Sequence, residues 1–132
     1  MADTVLFAVN GTLMRGLELN GSLLRAGARF VRETKTAARY RLYSIGEVHP
    51  AMLRAASGGA AISLELWEVP AAGLASILQS EPAGLCIGKV FLADGGEVLG
   101  VLGEPWLCEA RPEITAHGGW REYLAARSTG KL

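Results

Sequence analysis

Two short stretches of this chain carry residue types that could do chemistry on a small molecule. The first is Asn10-Gly11-Thr12-Leu13, which opens a loop running to Gly16. It follows the continuously apolar run Val5-Leu6-Phe7-Ala8-Val9, which reads as a central strand covered on both faces. A buried strand that opens into a glycine loop presents free backbone N–H groups at a sheet end, and such groups grip carboxylates and carbonyl oxygens. The second is Glu81. Leu74, Ile77 and Leu78 have the spacing of one buried helix face, with Pro70 in the first turn. Pro82 ends that helix, because the residue before a proline is pushed out of the helical region. Glu81 thus sits at the C-terminal edge, where the partial negative charge of the helix end disfavours a carboxylate and raises its pKa. A raised pKa suits a general acid or base near neutrality. The plain alternatives are a simple turn at Gly11 and Gly16 and an ordinary exposed glutamate at position 81.

Other candidates carry less. His49 and His117 are the only histidines, and neither has a partner at ligand spacing, so no metal and no organic cofactor is expected. Cys86 and Cys108 stand far apart without a CxxC and read as two small buried apolar residues. Gly95-Gly96-Glu97-Val98-Leu99-Gly100 has a superficial likeness to a dinucleotide loop, but it falls inside a hairpin rather than between strand and helix.

These candidates need a scaffold, and the rest of the chain supplies one. Asn20 is a fair N-cap for a short helix through Leu23, Leu24 and Arg25, with Gly27 as its C-cap. Arg29 to Thr36 and Arg39 to Ser44 read as strands, Gly46 to Pro50 as a loop, and Ser57-Gly58-Gly59 as a turn. Ile62, Leu64 and Leu66 alternate with Ser63, Glu65 and Trp67, the pattern of a half-buried strand. Ile87 to Leu92 and Glu97 to Leu102 flank Asp94-Gly95-Gly96, a strong hairpin signal. A further strand is expected around Trp106 and Cys108, a closing helix at Trp120, Tyr123 and Leu124, and a frayed tail from Arg127 to Leu132. Strands joined by hairpins, with a few short helices, predict an α+β domain whose mixed or antiparallel sheet curls into a small barrel.

With 132 residues the chain fits one domain, spanning 1–132. Thirteen basic residues balance thirteen acidic ones, so the basic excess of a nucleic-acid binder is missing. No run approaches the roughly 20 apolar residues of a membrane span, and the N-terminus lacks the positive region of a signal peptide. The expected setting is cytoplasmic, and the expected ligand is a small polar metabolite.

Several motifs then carry a resemblance. Gly27-Ala28-Arg29-Phe30-Val31 is followed by Arg39-Tyr40-Arg41-Leu42-Tyr43, then by Gly58-Gly59-Ala60-Ala61-Ile62 and Leu66-Trp67-Glu68-Val69-Pro70-Ala71-Ala72. Ile87-Gly88, Asp94-Gly95, Ile114-Thr115-Ala116 and Gly118-Gly119-Trp120 complete the series. In this order and spacing they resemble the C-terminal domain of allophanate hydrolases, which is related in fold to γ-glutamylcyclotransferases. The resemblance implies a small mixed barrel with a cavity at the end of the first strand. It places Asn10-Gly11-Thr12-Leu13 on the cyclotransferase loop whose backbone donors hold the γ-glutamyl group, with Asn10 where those enzymes have tyrosine. It places Glu81 on their proton-moving glutamate. In allophanate hydrolase this domain is proposed to decarboxylate N-carboxycarbamate with a histidine of the first-strand loop. Aligned without gaps, Leu13 stands at that position.

Two functions follow as expectations. One is an enzyme acting on a γ-glutamyl, ureido or carbamoyl compound, with backbone N–H groups of Asn10 to Leu13 on the acyl oxygen and Glu81 as general acid or base. The other is an accessory or sensing module, or a decarboxylase-type partner, that works with a separate amidase subunit. A homodimer fits either.

Overall fold

A computed structural model describes residues 3–130. Strand β1 (Thr4–Val9) lies at the centre of a five-stranded sheet of order β2-β5-β1-β7-β6. It pairs antiparallel with β5 (Ser63–Pro70) and parallel with β7 (Glu97–Gly103). The outer strands β2 (Arg29–Lys35) and β6 (Leu85–Phe91) pair antiparallel with β5 and β7. A separate ribbon of β3 (Tyr40–Ile45) and β4 (His49–Arg54) packs against β7. Close backbone approach makes that contact: a Cβ added at Gly103 would lie 2.8 Å from the Ala51 Cβ.

The α+β class follows from these elements, but the sheet does not close into the expected barrel. Among the described residues its two edges, β2 and β6, meet only beyond their ends, at the bridge between Thr36 and Leu92. The β3–β4 ribbon covers the gap, and Tyr40, fully buried on β3, accepts a hydrogen bond from the Phe91 amide at 2.9 Å.

Short helices fill the connections: α1 (Asn20–Arg25), α2 (Ala71–Ser80), α3 (Pro105–Cys108) and α4 (Trp120–Ser128). Asn20 is the first residue of α1 rather than its cap. Its side-chain amide instead donates to the Leu13 carbonyl at 2.8 Å and braces the loop after β1. On α2 only Ile77 is fully buried, while Leu78 is exposed, so the apolar stripe is narrower than its spacing suggests. The segment around Trp106 and Cys108 is a helical turn, not a strand, because Pro105 presets the backbone of a first helical turn. Helix α4 runs on through Arg127 and Ser128, where a frayed tail was expected, and Lys131 and Leu132 lie outside the described residues. No helix of the described residues is long and apolar enough to cross a membrane.

Strand β4 is the element absent from the sequence-based expectation, which placed a loop over Gly46 to Pro50. The turn covers Gly46, Glu47 and Val48, and the strand starts at His49. Pro50 is tolerated because β4 pairs on one side only, with Ser44 of β3 opposite Pro50.

Strand β5 is buried on both faces, not on one. Ile62, Leu64 and Leu66 enter the main core with Phe7, Val9, Leu23 and Trp120. Glu65 and Trp67 on the other face are also buried, at 1% and 2% exposure. The cover comes from Phe30, which meets Trp67 edge to face, and from Arg15, whose guanidinium lies 3.7 Å over the Phe30 ring.

Glu65 is fully supplied with donors. One oxygen accepts from the Arg15 amide at 2.9 Å and the Trp67 indole at 3.1 Å. The other accepts from the Arg15 side chain at 3.2 Å and from Arg121 at 3.1 Å. Burial pushes this carboxyl's pKa up, but those four donors outweigh it and hold the pKa below its ordinary value. Replacing Glu65 with alanine orphans the Arg15 amide and the Trp67 indole, takes from Arg121 its carboxylate partner and leaves Arg15 with Glu33 alone. The expected loss of unfolding free energy is about 2–4 kcal/mol at pH 7, measured by urea denaturation. Because the folded pKa is lowered, the wild-type advantage is present above the unfolded value and fades as pH falls through the folded one. A loss below about 0.5 kcal/mol, the scale of an inert surface change, would show that this cluster does not hold the fold.

Candidate functional site

The loop after β1 is built from backbone contacts. The Met14 amide donates to the Gly11 carbonyl at 3.0 Å and the Leu19 amide to the Thr12 carbonyl at 2.9 Å, so the carbonyls are used internally. The N–H groups of Gly11, Thr12 and Leu13 find no acceptor among the described residues. Gly11 is required by a close approach. A Cβ there would lie 2.6 Å from Cδ and 2.8 Å from Cγ of Pro50, on β4. The side chains of the loop point inward: Asn10, Thr12 and Leu13 are 4%, 8% and 2% exposed. The Asn10 amide donates to the Val101 carbonyl at 3.0 Å and lies 3.8 Å from the Met52 sulfur. That side chain is therefore spent on structure, and what the loop offers a ligand is its backbone.

Glu81 caps α2 in extended conformation, its amide donating to the Leu78 carbonyl at 3.2 Å. Its half-buried carboxyl has no side-chain hydrogen bond or ion pair among the described residues. Burial pushes its pKa up to about 7. The direction matches the sequence-based expectation, but the cause is loss of water contact rather than the helix end.

The structure brings all five predicted site residues to one place. Asn10, Gly11, Thr12, Leu13 and Glu81 line a common hollow at the end of β1, closed by His49, Pro50 and Leu85. The hollow is small, about 10 Å³, room for roughly one water-sized group. It abuts a trough of about 380 Å³, whose walls include Glu18, Leu19, Glu47, Val48 and Pro82. Thr12 and His49 belong to both walls.

His49 is the residue that sequence reasoning missed. It has no ligand-spaced partner, and the strand that buries it to 7% exposure was read as a loop. The only signal for it would have been recognition of β4. The wall it belongs to is fixed from outside. Glu47, at a φ of 62°, accepts from Ser44 and from the Tyr123 hydroxyl, with Arg127 3.7 Å away. Those hydrogen bonds, the Ser44 one foremost, hold the Glu47 carboxyl below its usual pKa.

Comparison with known proteins gives this site a context. The family model of the allophanate hydrolase C-terminal domain matches residues 5–125. The urea amidolyase of Lachancea kluyveri is 30% identical over 129 residues, 92% of this chain but only 7% of that protein. The crystal structure of c4763, a uropathogenic E. coli-specific protein, superposes with a TM-score of 0.92 at 57% identity, over 93% of this chain and 97% of that one. Kluyveromyces lactis allophanate hydrolase superposes with a TM-score of 0.88 at 30% identity, over 95% of this chain and 22% of that one. An AIG2-like protein from Mus musculus, at 19% identity and a TM-score of 0.65, shares the fold over 85% of this chain and 86% of that one. By its family match over nearly its whole length, the chain belongs to the allophanate hydrolase C-terminal domain family.

Proposed function

We propose that the chain is a small-metabolite enzyme that cleaves the C–N bond of a γ-glutamyl, ureido or carbamoyl compound. In this reading the acyl carbonyl oxygen takes the place of a water in the hollow and accepts hydrogen bonds from the free N–H groups of Gly11 to Leu13. Those donors are fixed in place before the reaction, so they stabilise negative charge as it develops on that oxygen without reorganising. The rest of the substrate lies in the trough. Glu81, poised to hold or lose a proton near neutrality, transfers protons to or from the attacking and departing groups. What supports this reading is that Gly11, Thr12 and Leu13, whose N–H groups have no acceptor among the described residues, line one oxygen-sized hollow together with Glu81, whose half-buried carboxyl is unpaired there.

A second reading has its own support. The matched relatives carry this fold as 7% of a urea amidolyase and 22% of an allophanate hydrolase. In this reading the domain serves as the docked partner of an amidase. Co-elution of this chain with a co-expressed amidase, together with unaltered turnover in the variant below, would favour it.

Glu81→Gln is expected to lower turnover of the best γ-glutamyl, ureido or carbamoyl substrate by at least about a hundredfold, the usual scale of acid–base assistance. Steady-state kinetics with unchanged kcat in that variant would remove Glu81 from the mechanism.

The same substitution is expected to stabilise the fold in alkali. Between pH 4.5 and about 7 the folded chain keeps a proton that the unfolded chain has released. Stability therefore falls as pH rises through that window, and the deficit persists above it. Urea unfolding should show Glu81→Gln more stable than wild type by up to about 3 kcal/mol at a pH above 8, and little different near pH 4. An equal effect at both pH values would mean the carboxyl is not held in a water-poor site.

A further inference from the structure

A second ionisable side chain with an unused position lines the hollow. His49 Nδ1 lies 2.9 Å from the Pro50 carbonyl oxygen. A carbonyl oxygen can only accept, so Nδ1 must carry the hydrogen, and in the neutral ring the lone pair falls to Nε2. Nε2 has no partner among the described residues. It is not sealed in the core either, because among those residues no fully buried side-chain nitrogen or oxygen lacks a partner. Nε2 therefore keeps access to open space, and His49 lines both the hollow and the trough. The ring is held there. Pro50 is pinned against Gly11, and the turn before His49 is clamped to α4 through Glu47 and Tyr123.

We propose that His49 is a second catalytic proton-transfer residue of this site, its Nε2 accepting the proton of the attacking group while Glu81 donates one to the departing nitrogen. This rests on the reading of the site given above. As the attacking amine or water bonds to the carbonyl carbon, its proton passes to Nε2. As the carbonyl carbon–nitrogen bond breaks, the Glu81 proton passes to that nitrogen, which leaves as the amine. The imidazolium then returns its proton to the Glu81 carboxylate through a water in the emptied hollow, and both groups are reset. The division of labour follows from position. The carboxyl stands in a water-poor wall that favours its protonated form, and the imidazole presents a lone pair where the substrate must pass. The other charged groups on these walls are Glu18 and Glu47, with Arg127 behind Glu47.

The test uses the whole chain, an alkyl γ-glutamyl amide and γ-glutamyl-p-nitroanilide, with allophanate and biuret as ureido probes. His49→Ala should lower kcat/KM by about a hundredfold on both amides, and added imidazole should restore at least about a tenth of the loss. Glu81→Gln should damage the alkyl amide far more than the nitroanilide, whose departing nitrogen needs little protonation. His49→Gln, which fills the same space, should fold as the wild type does and stay inactive. A mere packing role predicts no imidazole rescue. Nitrogen NMR of the wild type, free of substrate, should show His49 as the Nδ1–H tautomer at pH 8, and an Nε2–H tautomer overturns the assignment. Inactive Glu81→Gln beside His49→Ala within about threefold of wild type sinks this proposal and leaves the parent reading standing. If the wild type turns over none of these probes, the parent reading falls and this one falls with it.

Discussion

A carboxylate inside a β-sheet must be surrounded by donors, and meeting that demand at Glu65 organises much of this molecule. Glu65 lies opposite Val9 in the β1–β5 register, beside the point where β1 ends. One of its donors is the backbone amide of Arg15, which ties the loop after β1 to the middle of β5. Another is Arg121 of α4, which also donates to the Arg15 carbonyl and locks the closing helix over the same loop. Removing the charge would loosen the loop and the helix from β5, leaving the bond from Arg121 to the Arg15 carbonyl between them. The open N–H groups at Gly11 to Leu13 are held in place by a cluster on β5, although nothing in that cluster touches the hollow itself.

The treatment of Glu65 sharpens what is unusual about Glu81. Both are glutamates with restricted access to water. One receives four donors and has its pKa lowered, and the other receives none and has its pKa raised to about 7. The chain can surround a buried carboxylate with arginine, indole and amide, and it does not do so at Glu81. An uncompensated carboxyl lowers stability at neutral pH, and such unrelieved groups concentrate at sites of chemistry. Next to it His49 also keeps one ring nitrogen free. A carboxyl without a partner, an imidazole with one free nitrogen and three amides without acceptors among the described residues line one hollow, a concentration of unused polar capacity that packing alone does not explain.

Which parts of this were legible in the sequence has a physical answer. Strand β1 and its loop were, because an unbroken apolar run and two glycines are local signals. The β6–β7 hairpin was, because Asp94-Gly95-Gly96 is turn chemistry: Gly95 adopts a φ of 92° and Asp94 accepts from the Gly96 amide at 2.8 Å. The motifs that resemble the family were legible as a pattern. The meeting of Glu81 with the Gly11 loop was implied only by that resemblance, since no spacing rule places residue 81 beside residue 11. Strand β4 was hidden by Pro50, a residue that argues against a strand unless one side of it is unpaired. With β4 went His49. The second buried face of β5 was hidden because half of its cover is charged: Arg15 and Arg121 shield Glu65 while Phe30 packs on Trp67, and alternation scores only apolar partners. The open sheet was hidden because whether two edges meet depends on the accumulated twist of five strands, which no local pattern records.

The narrowness of the hollow limits how selection among substrates can work. Pro50 against Gly11 and the inward Leu13 leave space for one oxygen-sized group. The Asn10 amide is bound to Val101 and Met52 and is not free to read a substrate. A carbonyl oxygen fits such a space, and γ-glutamyl, ureido and carbamoyl groups all possess one, so on the proposed reading this part of the site would recognise what they share. On that reading, what distinguishes them would be felt in the trough, where Glu18 and Glu47 supply negative charge and Leu19, Val48 and Pro82 supply apolar wall. The division is physically economical. Rigid backbone donors would serve the step common to the proposed chemistry, and side chains that tolerate replacement would serve the choice of substrate. The donors themselves belong to the backbone, so they do not depend on which side chain stands at position 10.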